Sequence, residues 1–350
     1  MSRTDDILDK TKRKEPEAKK WKVVVGIVVG LVLGGILFGS CYVMTEPVAD
    51  SYLQQSKPLL KHSAFYNNQI GKDEQSVYFI GSSVIGTAVY CPLIDSILQE
   101  QGYNIETYNS HLGADRPRIR VMEIDDIIES NPDLVIYGMT YTNMVGADIE
   151  PTYIMFSPNP PLFNQDLSDF FTDDELIGML EYSLFPKRGY IIDGISPYFT
   201  SVFGIENHDD KLRYFMKEGY SPESLMIYEK EHYNVENIRK TADNTYSHLD
   251  FTKDAAINNA DALVYSIQRL KDAGIPVILI NMPIHPIVSD AIPQDARQDY
   301  YDILNRTGVE WIDAERYLND EDMYDHFHKT WGGCQKFSEM MADLIIQELS

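Results

Sequence analysis

Cysteine is scarce in this chain, and so is positive charge. Three cysteines in 350 residues fall short of the four thiolates of an all-cysteine zinc site and of any disulfide framework. Lysine and arginine number 30 against 54 acidic residues, for a net charge of −24. That balance excludes a nucleic-acid binder held by phosphate neutralisation. No phosphate-cradling glycine loop or dinucleotide fingerprint is present, so nothing calls for a nucleotide, a cofactor or a metal. Repeats and low-complexity tracts are also missing. A shortage of apolar residues is not among the deficits: at 44% hydrophobic and 24% charged, the chain can bury a sizeable core in one large domain or two modest ones.

The few basic residues are unevenly placed. Residues 1–22 hold eight of them against five acidic side chains, with Lys19, Lys20 and Lys22 directly before an uncharged run. That run, Val23 to Met44, has 22 residues. At about 1.5 Å rise each it spans roughly 33 Å, enough for a bilayer core of about 30 Å. After it only Lys57 and Lys61 follow nearby. The positive-inside bias therefore expects a cytoplasmic tail at 1–22, a transmembrane helix at 23–44 and everything later outside the cell. A cleaved signal is the alternative, but its apolar region is usually only about 7–15 residues. Phe38-Gly39-Ser40-Cys41 faintly resembles a lipoprotein processing site. Gly26, Gly30 and Gly34 form a small-residue row of the kind that pairs membrane helices.

Polar residues 45–74 read as a stalk or an early helix leading away from the membrane. Beyond them short apolar runs alternate with helical patterns. Strands are expected at Ser76–Gly81, Ile105–Tyr108, Asp133–Gly138, Ile275–Asn281 and Val309–Ile312. Helices are expected at Pro92–Gln101, Arg118–Ser130, Asp254–Ala273 and Gly333–Leu349. This alternation predicts an α/β fold, a parallel sheet covered on both faces, with ligand chemistry just beyond the carboxyl ends of the strands. Residues 145–250, rich in proline and aromatics, break the rhythm and read as an insertion covering that end of the sheet.

Two segments carry candidate chemistry. Gly81-Ser82-Ser83 closes the first strand just before a helix, a turn that exposes a serine hydroxyl and brings helix N–H groups near it. Helix capping is the plainer use of such serines. Gly-x-Ser recurs at Gly194 and Gly219, but only the first example follows a clear strand. Near the end stands Asp325-His326-Phe327-His328, and only His328 among the eight histidines has an aspartate three residues before it. One loop thus supplies an imidazole base and the carboxylate that orients it.

Together with Tyr108-Asn109-Ser110-His111-Leu112-Gly113, Asn131-Pro132-Asp133-Leu134-Val135-Ile136-Tyr137-Gly138 and Gly333 before a terminal helix, these segments resemble the SGNH (GDSL-type) hydrolase superfamily. The resemblance covers about residues 75–145 and 254–350. It implies a three-layer αβα, flavodoxin-like domain after one transmembrane helix. By position it makes Ser83 the nucleophile, His328 the base, Asp325 its orienting partner, and the Ser83 and Gly113 N–H groups oxyanion donors. One departure stands out: the family places asparagine where Thr140 lies here. Either Asn143 reaches back, or Thr140 substitutes, or that part of the hole is degenerate.

A single anchor, an external domain and a long insertion resemble the branch that modifies envelope polymers, as in alginate and exopolysaccharide O-acetylation or teichoic acid D-alanylation. That likeness implies an O-acyltransferase or esterase acting on an acylated polysaccharide or related polymer, beside a polytopic membrane acyltransferase. The rival reading is a non-catalytic binding or assembly subunit of the same fold.

Three further expectations attach to single residues. His285, after the fourth strand, is a candidate substrate contact. Tyr137, Tyr141 and Tyr153 serve either to stack on sugars or to pack. Cys91 and Cys334 lie on the helices after Ser83 and His328; a flavodoxin-like strand order puts those helices on one face, where the thiols could pair.

Overall fold

A computed structural model describes residues 15–146, 149, 154–183, 190–203, 216–217, 219–231 and 234–349. The basic residues at 10–14, and Tyr153, lie outside this set. The chain divides into two compact units, one of Met1–Tyr52 with Lys187–Phe203, the other of Leu53–Pro186 with Gly204–Ser350.

The first unit is built on α1 (Glu15–Ser56), a helix of 42 residues. Its Trp21–Gln54 portion is long and apolar enough to cross a membrane. At about 1.5 Å per residue α1 is roughly 63 Å long, about twice a bilayer core. The helix therefore runs on well past Met44. Pro47 lies inside it, at the point where Glu46 and Asp50 end the uncharged run.

Of the two readings of residues 45–74, the early helix is the one the structure has. Most are helical, in the end of α1 and in α2 (Pro58–Asn67), where proline occupies the first turn and needs no N–H partner. Leu59, His62, Phe65 and Tyr66 of α2 are buried. The polar composition of the segment hides this, because one apolar face of a helix needs only every third or fourth residue.

The second unit is a three-layer α/β domain. Its five strands are β1 (Gln75–Gly81), β2 (Ile105–His111), β3 (Leu134–Met139), β4 (Val277–Asn281) and β5 (Trp311–Asp313). All are parallel, as the alternation predicts, and ordered 2-1-3-4-5, the flavodoxin-like arrangement that the resemblance implies. β3 is buried at every position, as a central strand covered on both faces must be. Alternate residues serve opposite layers. Tyr78, Ile80, Val135, Tyr137 and Leu279 join one core cluster with α2, with α6 (Ile124–Ser130) and with the helix Asp254–Asp272. Val77, Phe79, Leu134, Ile136, Ile278 and Ile280 join the other, with Ile94 and Leu98 of the helix Cys91–Glu100 and Phe337, Met341 and Ile345 of the helix Trp331–Leu349.

The expected helix at 118–130 is two short ones. Pro117–Arg120, here α5, and α6 are separated by a turn at 121–123, which lets Arg120 and Glu123 both face inward, where each is fully buried. The numbering is completed by α3 (Ser83–Gly86) and α4 (Cys91–Glu100) before these, and by α7 (Tyr141–Val145) after β3.

Candidate active site

The carboxyl ends of β1, β2 and β3 carry Ser83, Gly113 and Thr140. β1 ends at Gly81 with a φ of +141°, a backbone shape that L side chains resist. A Cβ there would also run into the Gly138 carbonyl. Ser82 is the cap of α3: its Oγ accepts from the Val84 N–H at 3.3 Å. Capping is thus taken by Ser82, and Ser83 is left for other work. The Ser83 hydroxyl lies 2.9 Å from His328 Nε2, across 245 residues of sequence.

The imidazole is held on its other side. His328 Nδ1 is 2.7 Å from Asp325 Oδ2, while Asp325 Oδ1 accepts the backbone N–H groups of Phe327 and His328 at 2.9 and 2.7 Å. Burial opposes ionisation of Asp325. The hydrogen bond and charge of His328, with the charge of His326, outweigh it and hold the carboxyl well below the usual carboxylate range. An ionised carboxylate only accepts. The proton of neutral His328 therefore belongs on Nδ1, and Nε2 is the acceptor that faces the Ser83 O–H. Tyr324 stacks on the His328 ring at 5.4 Å and Phe327 meets it edge-on at 4.2 Å, so the ring has little freedom to turn.

Lys329 fastens this loop, and sequence reading missed it. It is fully buried; its Nζ donates to the carbonyls of Pro283 at 3.0 Å and Phe327 at 2.6 Å. Its backbone N–H reaches the Thr87 Oγ1 at 3.4 Å, beside the end of α3. Burial pushes the ammonium down to about 7, against the opposing pull of Asp325. A lysine reads as surface by composition, so no local signal marks it. His326 also takes part through its backbone: its carbonyl accepts the His285 N–H at 3.0 Å.

The oxyanion side is arranged differently. Gly113 is exposed, and the preceding Leu112 N–H donates to the Gly81 carbonyl at 2.8 Å, holding the turn after β2 against the turn after β1. Among the described residues the N–H groups of Ser83 and Gly113 have no hydrogen-bond partner. Thr140 and Asn143, the alternative side-chain donors, form a capping box at the start of α7. The Thr140 N–H and O–H both donate to Asn143 Oδ1 at 2.7 Å. Asn143 Nδ2 donates to the Asp115 carbonyl at 2.7 Å. Thr140 therefore has no donor left, and only the second Nδ2 hydrogen of Asn143 is uncommitted.

Beneath these turns lies a buried ionic group. The Arg120 guanidinium donates to the carbonyls of Gly81 and Ser110, each at 3.2 Å, to Asp115 at 2.7 Å and to Glu123. Glu123 in turn meets His62 of α2 at 3.3 Å. Burial raises the Asp115 carboxyl to about 6. Burial also works against Glu123, but Arg120 and His62 overcome it and keep that carboxyl low. Arg120 thus fixes the backbone on which both Ser83 and Gly113 depend.

Several sequence expectations need correction. His285 is fully buried, and its Nδ1 accepts the Ile287 N–H at 3.2 Å as the cap of the following helix. It shapes the loop after β4 and has no face for a substrate. Of the two readings for Tyr137 and Tyr141, packing is the one the structure has, since both are core residues. The helices that carry Cys91 and Cys334 pack on one face of the sheet, but the two cysteines are free, and burial raises both thiols. From the insertion, Tyr220 lies at the end of β2: its ring and that of His111 are 5.1 Å apart. Among the described residues no group of three His, Cys, Asp or Glu side chains could hold a metal ion.

A protein-family model without a descriptive name matches residues 223–350, which include Asp325 and His328 but not Ser83. No curated protein matches the chain. Among solved structures, a gut microbial diltiazem-metabolizing enzyme is similar at 10% identity and a TM-score of 0.36. That likeness covers 79% of this chain and 47% of the other, so the chain spans about half the length of the enzyme. A likeness this distant carries no argument about activity.

Proposed function

We propose that this protein is a membrane-anchored acyl-transfer enzyme of the SGNH type, an O-acyltransferase or esterase acting outside the cell on an acylated envelope polysaccharide or related polymer. The observation that carries the reading is the continuous line from Ser83 Oγ through both nitrogens of His328 to Asp325, at 2.9 and 2.7 Å. A serine hydroxyl is a poor nucleophile without a base in reach; here one is in reach and in the correct tautomer.

In the first half-reaction Ser83 Oγ bonds to the carbonyl carbon of an ester while His328 Nε2 takes its proton. The carbonyl oxygen becomes an oxyanion placed to accept hydrogen bonds from the Ser83 and Gly113 N–H groups. When the intermediate collapses, the bond to the leaving oxygen breaks and His328 returns the proton to it. An acceptor hydroxyl, from a sugar or from water, then repeats the sequence on the acyl-serine and frees Ser83. The excess of basic residues before the uncharged run at 23–44 supports delivery outside the cell. A polytopic membrane acyltransferase is the partner that would supply the acyl group.

The second reading is a non-catalytic polymer-binding or assembly subunit. The mutual engagement of Thr140 and Asn143 favours it, because it leaves the oxyanion side almost entirely to backbone donors. Treatment with an activated acetyl ester, followed by peptide mass analysis, separates the two. The enzyme reading expects an acetyl group on Ser83 that disappears when water or a soluble glycan is supplied as acceptor. A folded protein that never acquires the group favours the binding subunit.

A further inference from the structure

We infer that the helix Ile191–Val202 lies in the lipid–water interface, with one apolar stripe facing the bilayer. The inference rests on the reading of α1 as a membrane anchor and adds a second, lateral contact to it.

Large apolar side chains are exposed at Ile192, Ile195, Phe199, Val202 and Phe203, each between 46% and 80% accessible. At about 100° per residue these five positions fall on one stripe roughly 100° wide. The opposite side is turned inward: Gly194 is buried, and a Cβ there would run into the Val48 carbonyl of α1. Tyr190, just before the helix, stacks on Tyr52 of α1 at 5.3 Å. One face of the helix is thus seated on α1, and the apolar face is left without protein cover among the described residues.

The seat has a known height. Val48 is four residues beyond Met44, where the uncharged run ends, so the contact is about 6 Å further along α1. An amphipathic helix in the interface buries its apolar face about 5–10 Å into the boundary between headgroups and acyl chains. The seat on α1 and that boundary therefore coincide. The composition agrees. Tyr198, Phe199 and Phe203 are aromatic, and Asp193 is the one charged residue in the helix; it is exposed and about 100° away from Ile192. Continuity with the lipid-facing surface of α1, itself unburied over its apolar window, makes lipid the occupant.

The test uses the full chain with Cys41→Ser, whose remaining cysteines are buried, reconstituted into phosphatidylcholine–phosphatidylglycerol vesicles. Nitroxide labels are placed through Phe199→Cys and, separately, Ile192→Cys. Asp193→Cys serves as the water control and Leu31→Cys as the lipid control. The expected result is an oxygen-to-nickel collision ratio several-fold higher at 192 and 199 than at 193, approaching that at 31. If position 31 reads as lipid but 192 and 199 read as water, the anchor stands and the interfacial helix is overturned. If 192 and 199 are shielded from both reagents, protein covers the stripe and the inference is equally overturned. A water-like reading at 31 removes the anchor and the inference together.

Discussion

The two flanks of Ser83 are secured by different means. On the base side, the imidazole, its carboxylate and the rings that hold it come from one segment of six residues, 324–329, and the segment is fastened to the rest of the domain by Lys329 and His326. On the proposed oxyanion side, the donors would be backbone N–H groups, and the side chains around them serve as scaffolding: Arg120 on the Gly81 carbonyl, Asn143 on the Asp115 carbonyl. The base side works through side-chain chemistry and the oxyanion side through backbone position. Mutations should therefore act on chemistry in the first region and on stability in the second.

The largest effect is expected on the base side. Ser83→Ala should abolish acylation, and His328→Ala should slow it by roughly 10³–10⁶, since nucleophile and base act as a unit. Asp325→Asn should cost about 10⁴, because an amide no longer holds the Nδ1 proton. All three should leave the melting transition nearly in place. A loss of fold that parallels the loss of acylation would erase the contrast between the flanks.

Next comes the scaffold. Arg120→Met leaves Asp115 and Glu123 buried without their cation, an expected loss of about 3–5 kcal/mol in urea unfolding. A change below 1 kcal/mol, within surface-substitution range, would mean that the guanidinium holds nothing in place.

Lys329 sharpens the comparison through pH. Its folded pKa of about 7 lies below the ordinary 10.5, so between those values the unfolded chain binds the proton and the folded chain does not. Stability must then rise with pH across that window. Lys329→Met should lack this rise, giving urea midpoints for the two proteins that diverge between neutral pH and pH 10. Parallel curves would show that the ammonium stays charged in the fold.

The smallest effect separates bracing from chemistry at the third strand. Thr140→Ala should cost about 1 kcal/mol, as a lost helix cap, with acylation little changed. Asn143→Ala should behave alike if Asn143 only braces. A further drop of about 10²–10³ in acylation would make it an oxyanion donor.

The sheet was legible in the sequence because buried parallel strands must be continuous apolar runs, and those at β1, β3 and β4 are hard to misread. The pairing of Ser83 with His328 was legible through the family resemblance, which carries both residues by position, and the two side chains lie 2.9 Å apart. The buried charges were not. Arg120, Glu123, His62 and Lys329 look like surface residues in any composition count, and each is satisfied by a partner remote in sequence or by a carbonyl, which a one-dimensional pattern does not show. His285 misled in the opposite direction, since a histidine between prolines reads as an exposed loop until its ring is found capping a helix.

The most direct measurement is labelling of the purified full chain with a fluorophosphonate, read by intact mass. The predicted result is one adduct on the native protein and none on Ser83→Ala or His328→Ala. An unlabelled native protein with an intact fold, or an adduct that persists after Ser83→Ala, would contradict the claim that His328 activates the Ser83 hydroxyl.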